Sequence, residues 1–284
     1  MNNNFFKDLI YKVFRSGNPP FFYIGLNTIV FLLVAITAVI FYLGGRVLST
    51  EILIQDFVAL PVALSELPAR FYTVVTYMFF HAGIFHIFFN MLGLYWFGSI
   101  FMNFLKSRQF HFVYLAGGIF GGLFAVAALN VFPVFSASLS NATIIGASAA
   151  VMAIITATAT LVPNYTIMLL LIGEVKIKWI AIAYFALDFI TIGSGNEGGN
   201  FSHIGGAILG FVFIKSLQNG NDWSKIFERK PKMRVVKNEK PIKKESFKGV
   251  SQQEIDAILD KISTSGYDTL TATEKEKLFK ASKD

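Results

Sequence analysis

Hydrophobic positions in this chain come in long unbroken runs rather than in alternation. No Asp, Glu, Lys or Arg occurs in residues 16–45, 71–105 or 109–173. Each run is longer than the roughly 20 apolar residues that cross a bilayer as a helix. Polar punctuation divides the chain into six expected spans. The first covers about 21–43, too long for a signal-peptide core, and reads as retained. The second covers about 74–105 and the third about 112–131. Asn130, Pro133, Ser136, Ser138 and Ser140 then mark a loop. The fourth starts near Thr143 and must end before Pro163, which would break it. The fifth covers about 178–192, and Gly193, Gly195, Gly198 and Gly199 mark the next loop. The sixth covers about 202–217. Residues 45–70 are too polar to span and too apolar for a free linker, so they read as a loop in the interface. Residues 161–178 fit either a re-entrant loop or an extension of a neighbouring span.

Composition narrows the class. Of 284 residues, 54% are hydrophobic and 15% charged, and the mean hydropathy is +0.55. A soluble domain carries about 25% charged residues. An ordinary soluble globule and a nucleic-acid-binding domain are therefore disfavoured. Cysteine is absent, which removes thiol chemistry and disulfides. Basic residues favour the cytoplasmic side of a membrane. With the N-terminus inside, the cytoplasmic segments hold Lys7, Lys12, Arg15, Lys106, Arg108, Lys176, Lys178, Lys215 and the tail. The external loops hold only Arg46 and Arg70. The expected organisation is an all-α membrane protein. It has a cytoplasmic N-terminus (1–20), a six-helix domain (21–217), a basic disordered linker (218–250) and a small helical hairpin (251–284). In the hairpin, Ser251/Glu254 and Thr271/Glu274 read as capping boxes. Ile255, Ile258, Leu259 and Ile262 share one face, and Gly266 ends the first helix.

Only four histidines are present: His81, His86, His111 and His203. Ionisable groups inside a membrane are costly and point to function. His111, beside Arg108 at a span end, reads as an interfacial residue. His86 and Asn90 are four apart and share a helix face. His81 would lie about 140° away on a continuous helix. The fourth span opens Gly146-Ala147-Ser148-Ala149-Ala150, and the sixth opens Ser202-His203-Ile204-Gly205-Gly206, with Gly210 four residues on. Each motif also has a plain structural reading. His86 and Asn90 suit interhelical hydrogen bonding, the small residues suit close packing, and His203 suits a histidine bonded to a carbonyl. Topology links them. Spans four and six run in the same direction, so Ser148 and His203 lie at similar depth on the outer side. The Gly206/Gly210 face lets another backbone approach. A serine and histidine so placed can form a nucleophile–base dyad, with His86 and Asn90 as oxyanion donors. No H-E-x-x-H zinc motif and no paired intramembrane carboxylates occur.

The three motifs, H-x-x-x-x-H-x-x-x-N, G-x-S and H-x-G-G-x-x-x-G in that order over about 20–217, resemble the rhomboid family of intramembrane serine proteases. The resemblance implies a six-helix bundle without metal or cofactor. It implies Ser148 as nucleophile and His203 as general base, with no acidic third member. His86, Asn90 and the backbone N–H groups of Ser148 and Ala147 would form the oxyanion hole. Gly146 would permit the tight backbone at the serine, and His81 would be structural or tune the site. Transmembrane protein substrates would enter laterally from the bilayer, with span five and the next loop as gate and cap. The alternative is a catalytically inactive rhomboid-like protein that binds or chaperones membrane segments. Four positions depart from the family pattern: Ala149 replaces a glycine and would narrow the pocket, Met152 replaces an aromatic, and Tyr72-Thr73 replace a Trp-Arg pair. The expected location is a bacterial inner membrane with both termini cytoplasmic.

Overall fold

The computed structural model describes residues 5–45, 50–169, 172–228 and 251–282. It divides into two units, residues 1–229 and 230–284. In the first unit the elements run α1 (Phe5–Ile10), a π-turn, α2 (Pro19–Leu43), α3 (Thr50–Phe57), β1 (Leu60–Pro61) and α4 (Thr73–Thr76). Next come α5 (Ile84–Phe104), α6 (Ser107–Val131), β2 (Thr143–Ile144), α7 (Ser148–Leu161), β3 (Thr166–Leu169) and β4 (Gly173–Lys176). The unit closes with α8 (Ile177–Ile190), α9 (Glu197–Gln218) and a short 3-10 turn (Trp223–Phe227). Apart from two small antiparallel sheets, β1–β2 and β3–β4, the described chain is helical. Four helices, α2, α5, α6 and α9, are long and apolar enough to cross a membrane. Helices α7 and α8 have 14 residues each, about 21 Å at 1.5 Å per residue.

Helix α7 is the centre of the bundle. Ala149 through Ile155 are all buried, as are Ala157, Thr158 and Ala159. Helices α5, α6, α8 and α9 pack around it. The α7–α9 approach depends on two glycines. A Cβ at Gly206 would overlap the Ala149 carbonyl, and one at Gly210 would overlap the Ala153 carbonyl. Small residues thus let the two backbones touch, the usual means of packing helices where lipid supplies no hydrophobic drive. Helix α2 is peripheral. Only Pro19, Pro20, Tyr23 and Asn27 are buried, all in its first half. There the Tyr23 ring stacks on Tyr114 at 3.8 Å, and the Asn27 amide donates to the Tyr114 hydroxyl (3.1 Å). His111 Nδ1 lies 3.1 Å from the Tyr23 hydroxyl, so this histidine joins α6 to α2.

Four expectations need correction. The second span is not one helix. Helix α4 and a 3-10 turn, Tyr77–Phe79, give way to extended backbone at Phe80 and Gly83 before α5 begins. The Tyr77 carbonyl accepts the Gly146 N–H (2.9 Å), which draws this segment towards the loop before α7. The fourth helix starts at Ser148, not near Thr143, because residues 143–144 pair with β1 and Gly146 takes φ +125°. Of the two alternatives for residues 161–178, extension of a neighbouring span does not hold: α7 ends at Leu161 and α8 starts at Ile177, and between them β3 and β4 pair antiparallel, with Thr166 opposite Lys176 and Leu169 opposite Gly173. The linker expected from 218 starts later. Asp222 caps the 3-10 turn and binds Arg108 (2.8 Å), which also binds Glu228 (2.7 Å). The remaining linker, residues 229–250, lies outside the described residues.

The interfacial segment contains α3 and is tied by Arg70. Its guanidinium donates to Glu66 (3.0 Å), to the Ala59 carbonyl (2.9 Å) and to the Gln55 carbonyl. An arginine therefore organises this loop although Tyr72-Thr73 stand in the aligned place of the family's Trp-Arg pair.

The second unit is a hairpin of α10 (Gln252–Ser265) and α11 (Ala272–Ala281), both with capping boxes. Gly266 ends α10 at φ +81°. Lys261–Glu274 and Lys277–Glu254, each at 3.0 Å, join the helices, and Ile258 and Leu270 are buried. The Thr271 backbone N–H, then Lys261 and the Thr271 hydroxyl, hold the Glu274 carboxyl down to about 2.

Two predictions follow from this packing. Gly206→Ala and Gly210→Ala should each destabilise the protein by about 1–3 kcal/mol through overpacking; unchanged thermal unfolding in detergent would contradict the α7–α9 contact. In NMR titrations, Glu274 should titrate near 2, below the ordinary 4.5. Its folded value is depressed, so its contribution to the hairpin is present above 4.5 and lost as pH falls towards 2. Titration of Glu274 at its ordinary value would remove that contribution.

Candidate active site

The site is built around the N-terminus of α7. Ser148 is its first residue, so its N–H belongs to the helical turn that has no intrahelical acceptor. The loop before it is tightly held. Gly146 adopts φ +125°, which side chains rarely take, and a Cβ there would lie 2.8 Å from His86 Cε1 and Nε2 and 3.5 Å from Ser148 Oγ. The imidazole of His86 therefore sits directly against the serine loop, and only glycine leaves room for it.

Helix α5 supplies the facing groups. His86 lies in its first turn and Asn90 one turn on. His86 Nδ1 accepts the Ala82 N–H (3.3 Å). In a neutral ring this puts the hydrogen on Nε2, the atom that faces Gly146. The buried Asn90 donates one amide hydrogen to the His86 carbonyl (2.8 Å), leaving a second available. A donor pair beside a serine at a helix N-terminus can stabilise developing negative charge on an adjacent oxygen.

His81 is not where a continuous helix would put it. It precedes α5, and its ring lies 5.0 Å from that of His86. Its Nε2 accepts the Ala147 N–H (3.4 Å), and it is 5% exposed. The 140° rotation expected from sequence does not apply because the backbone is extended at Gly83. His81 thus supports the serine loop from below, and the Ala147 N–H is engaged with it.

Helix α9 supplies His203, in its second turn. Ser148, His203, His86, Asn90 and Met152 line one cavity of about 520 Å³. The Gly206/Gly210 contact with α7 fixes the height of His203 relative to Ser148. Ala149 is buried, and its methyl packs towards Gly121 of α6. It does not narrow the cavity as the sequence suggested. Met152 does line it, one turn below Ser148.

The acidic residue of the cavity was not among the sequence candidates. Asp188 of α8 places Oδ1 2.8 Å from His203 Nδ1. Its side chain is 13% exposed. The available signal was a lone carboxylate inside a predicted span, but its facing depended on the limits of a span that sequence alone placed poorly. Among the described residues no group of three or more His, Cys, Asp or Glu could hold a metal ion.

Comparison with known proteins places this bundle. Residues 68–218 match the Rhomboid domain family. This chain belongs to the rhomboid family. A mitochondrial rhomboid-like protein of Arabidopsis thaliana, RHOMBOID-like protein 12, is 30% identical over 187 residues, which cover 62% of this chain and 54% of that protein. The chain thus spans about half the length of this relative. Residues 245–284 match a separate family of unknown function, DUF6576.

The role of Gly146 can be isolated by comparison. Gly195 also has positive φ but nothing within 4 Å of its Cβ position. Both alanine variants should carry backbone strain, about 1–3 kcal/mol, and Gly146→Ala should cost more because it also displaces His86. Equal melting temperatures for the two variants would contradict the His86 contact.

Proposed function

We propose that this chain is an intramembrane serine protease that hydrolyses peptide bonds in or near the transmembrane segments of other membrane proteins. The observation that carries this reading is the convergence of Ser148, His203, His86 and Asn90 on one cavity. In this reading Ser148 Oγ adds to the scissile carbonyl as its proton passes to His203 Nε2. The oxyanion forms against the Ser148 N–H, His86 Nε2–H and the free amide hydrogen of Asn90. Collapse breaks the C–N bond, and His203 returns the proton to the leaving amine. Water then hydrolyses the acyl-serine by the same steps, with His203 again accepting a proton. The chemistry needs no metal or cofactor.

Substrate access fits a lateral route. The cavity continues into a second one of about 180 Å³, lined by Phe89, Gly93, Trp96, Ile180 and Tyr184, and both share Phe89, Gly93 and Tyr184. This groove lies between α5 and α8. Phe85, Phe89 and Leu187 at its edge are 74%, 64% and 58% exposed, as suits side chains facing lipid or an incoming apolar segment. We read α7 and α8 as two further crossings, six in all, with α7 short because Ser148 lies below the outer surface. The distribution of basic residues supports cytoplasmic termini; the membrane proposed is a bacterial inner membrane.

The test uses purified protein in detergent and a single-span substrate. Wild type should cleave it. Ser148→Ala and His203→Ala should abolish cleavage with thermal unfolding retained. His86→Ala and Asn90→Ala should each lower kcat by about 10²–10³, the usual cost of one oxyanion donor. Full rate in both would overturn the oxyanion assignment. Failure of folded wild type on several substrates would favour an inactive rhomboid-like protein that binds membrane segments.

A further inference from the structure

Asp188 is the single carboxylate of α8, a helix whose other side chains are apolar apart from Lys178 in its first turn and Tyr184. Along α8 only Ile177 and Ala181 are buried. Trp179, Ile182, Leu187, Phe189 and Ile190 are more than half exposed. Asp188 instead points inward. Its Oδ1 meets His203 Nδ1 at 2.8 Å, and its Oδ2 is buried with no hydrogen-bond partner among the described residues. A carboxylate in this setting is expensive. One turn of α8 packing could be made with any apolar residue.

The second tie at this end of α8 does not need the acid. Asn200 of α9 donates to Thr191 Oγ1 (3.1 Å), joining the same two helices three residues further on. What Asp188 adds is specific to the imidazole. A carboxylate can only accept, so Nδ1 must carry the hydrogen. The lone pair is then on Nε2, the nitrogen on the far side of the ring.

We propose that Asp188 is a positioning residue for His203: it fixes the tautomer and orientation of the general base and stabilises the imidazolium formed when Ser148 is deprotonated. This rests on the protease reading above and replaces its unassisted dyad with a Ser148–His203–Asp188 relay of hydrogen bonds, in which Asp188 keeps its charge throughout. The other titratable groups facing His203 are His86 on α5 and Tyr184 on α8. Helix α7 presents none besides Ser148, and on α9 Glu197 is turned to the Gly195 N–H (3.0 Å). Asp188 is thus the negative charge in direct contact with the base.

The experiment compares full-length wild type, Ser148→Ala, Asp188→Asn and Asp188→Ala in detergent, matched for thermal unfolding. Both Asp188 variants should lower kcat by about 100-fold, the scale of general-base catalysis, with KM within twofold. The acid limb of the pH–rate profile should move to lower pH in Asp188→Asn, because the imidazolium has lost its counter-charge. A purely packing role would change unfolding or KM and leave that limb in place. Nitrogen-15 NMR of the histidines reads the tautomer independently of turnover: Nδ1–H in wild type, and a shift towards Nε2–H in Asp188→Ala. Cleavage by wild type with unchanged kcat and acid limb in both variants overturns the proposal. So does an unchanged His203 tautomer in Asp188→Ala. Inactive wild type with the tautomer shift present overturns the protease reading while leaving the positioning role standing.

Discussion

The close approach of α7 and α9 underlies everything else in the site. At Gly206 and Gly210 the two helices meet without side chains between them, against the Ala149 and Ala153 carbonyls. In a bilayer, contact of this kind replaces the hydrophobic drive that holds soluble cores together. It also sets position. Ser148 opens α7, and His203 lies one turn before Gly206. A helix–helix separation larger by the width of a side chain would move His203 away from Ser148 in the cavity that both line. Packing and proposed chemistry are therefore one constraint in this bundle.

The second requirement is a rigid loop ahead of the serine. Gly146 supplies the backbone conformation, the Tyr77 carbonyl holds its N–H, and His81 holds the N–H of Ala147. Each of these partners comes from the broken segment between α4 and α5. The break that divides the second apolar run thus has a purpose that a continuous helix could not serve. It lets two histidines five residues apart meet side by side, one supporting the loop and one facing the cavity. Preorganised donors of this kind are worth more in a water-poor site than in bulk solvent.

Much of this was legible in the sequence. Charge-free runs longer than a bilayer marked α2, α5 and α6, the glycine-rich loop at 193–199 marked the start of α9, and the spacings around His86, Ser148 and His203 identified the groups that share the cavity. The Gly206/Gly210 pair announced a backbone contact before any partner was known. Other features were hidden for physical reasons. Hydropathy does not distinguish a helix from extended backbone inside an apolar run, so the break at residues 80–83 was missed. The β3–β4 hairpin was missed likewise, since residues 161–178 combine apolar character with polar ends. Asp188 was visible as an intramembrane carboxylate, but its facing required the start of α8 at Ile177, which only the hairpin fixes. Ala149 misled because its direction depends on which neighbour, α6 or the cavity, its face meets.

The central claim is that Ser148 is an activated nucleophile. Its most direct test is covalent labelling of the full-length protein in detergent by a fluorophosphonate, read by intact mass and peptide mapping. The account predicts one adduct per chain, located on Ser148 and formed far more slowly when His203 is replaced by Ala. A folded protein that acquires no adduct on Ser148, or acquires it equally fast without His203, would contradict it.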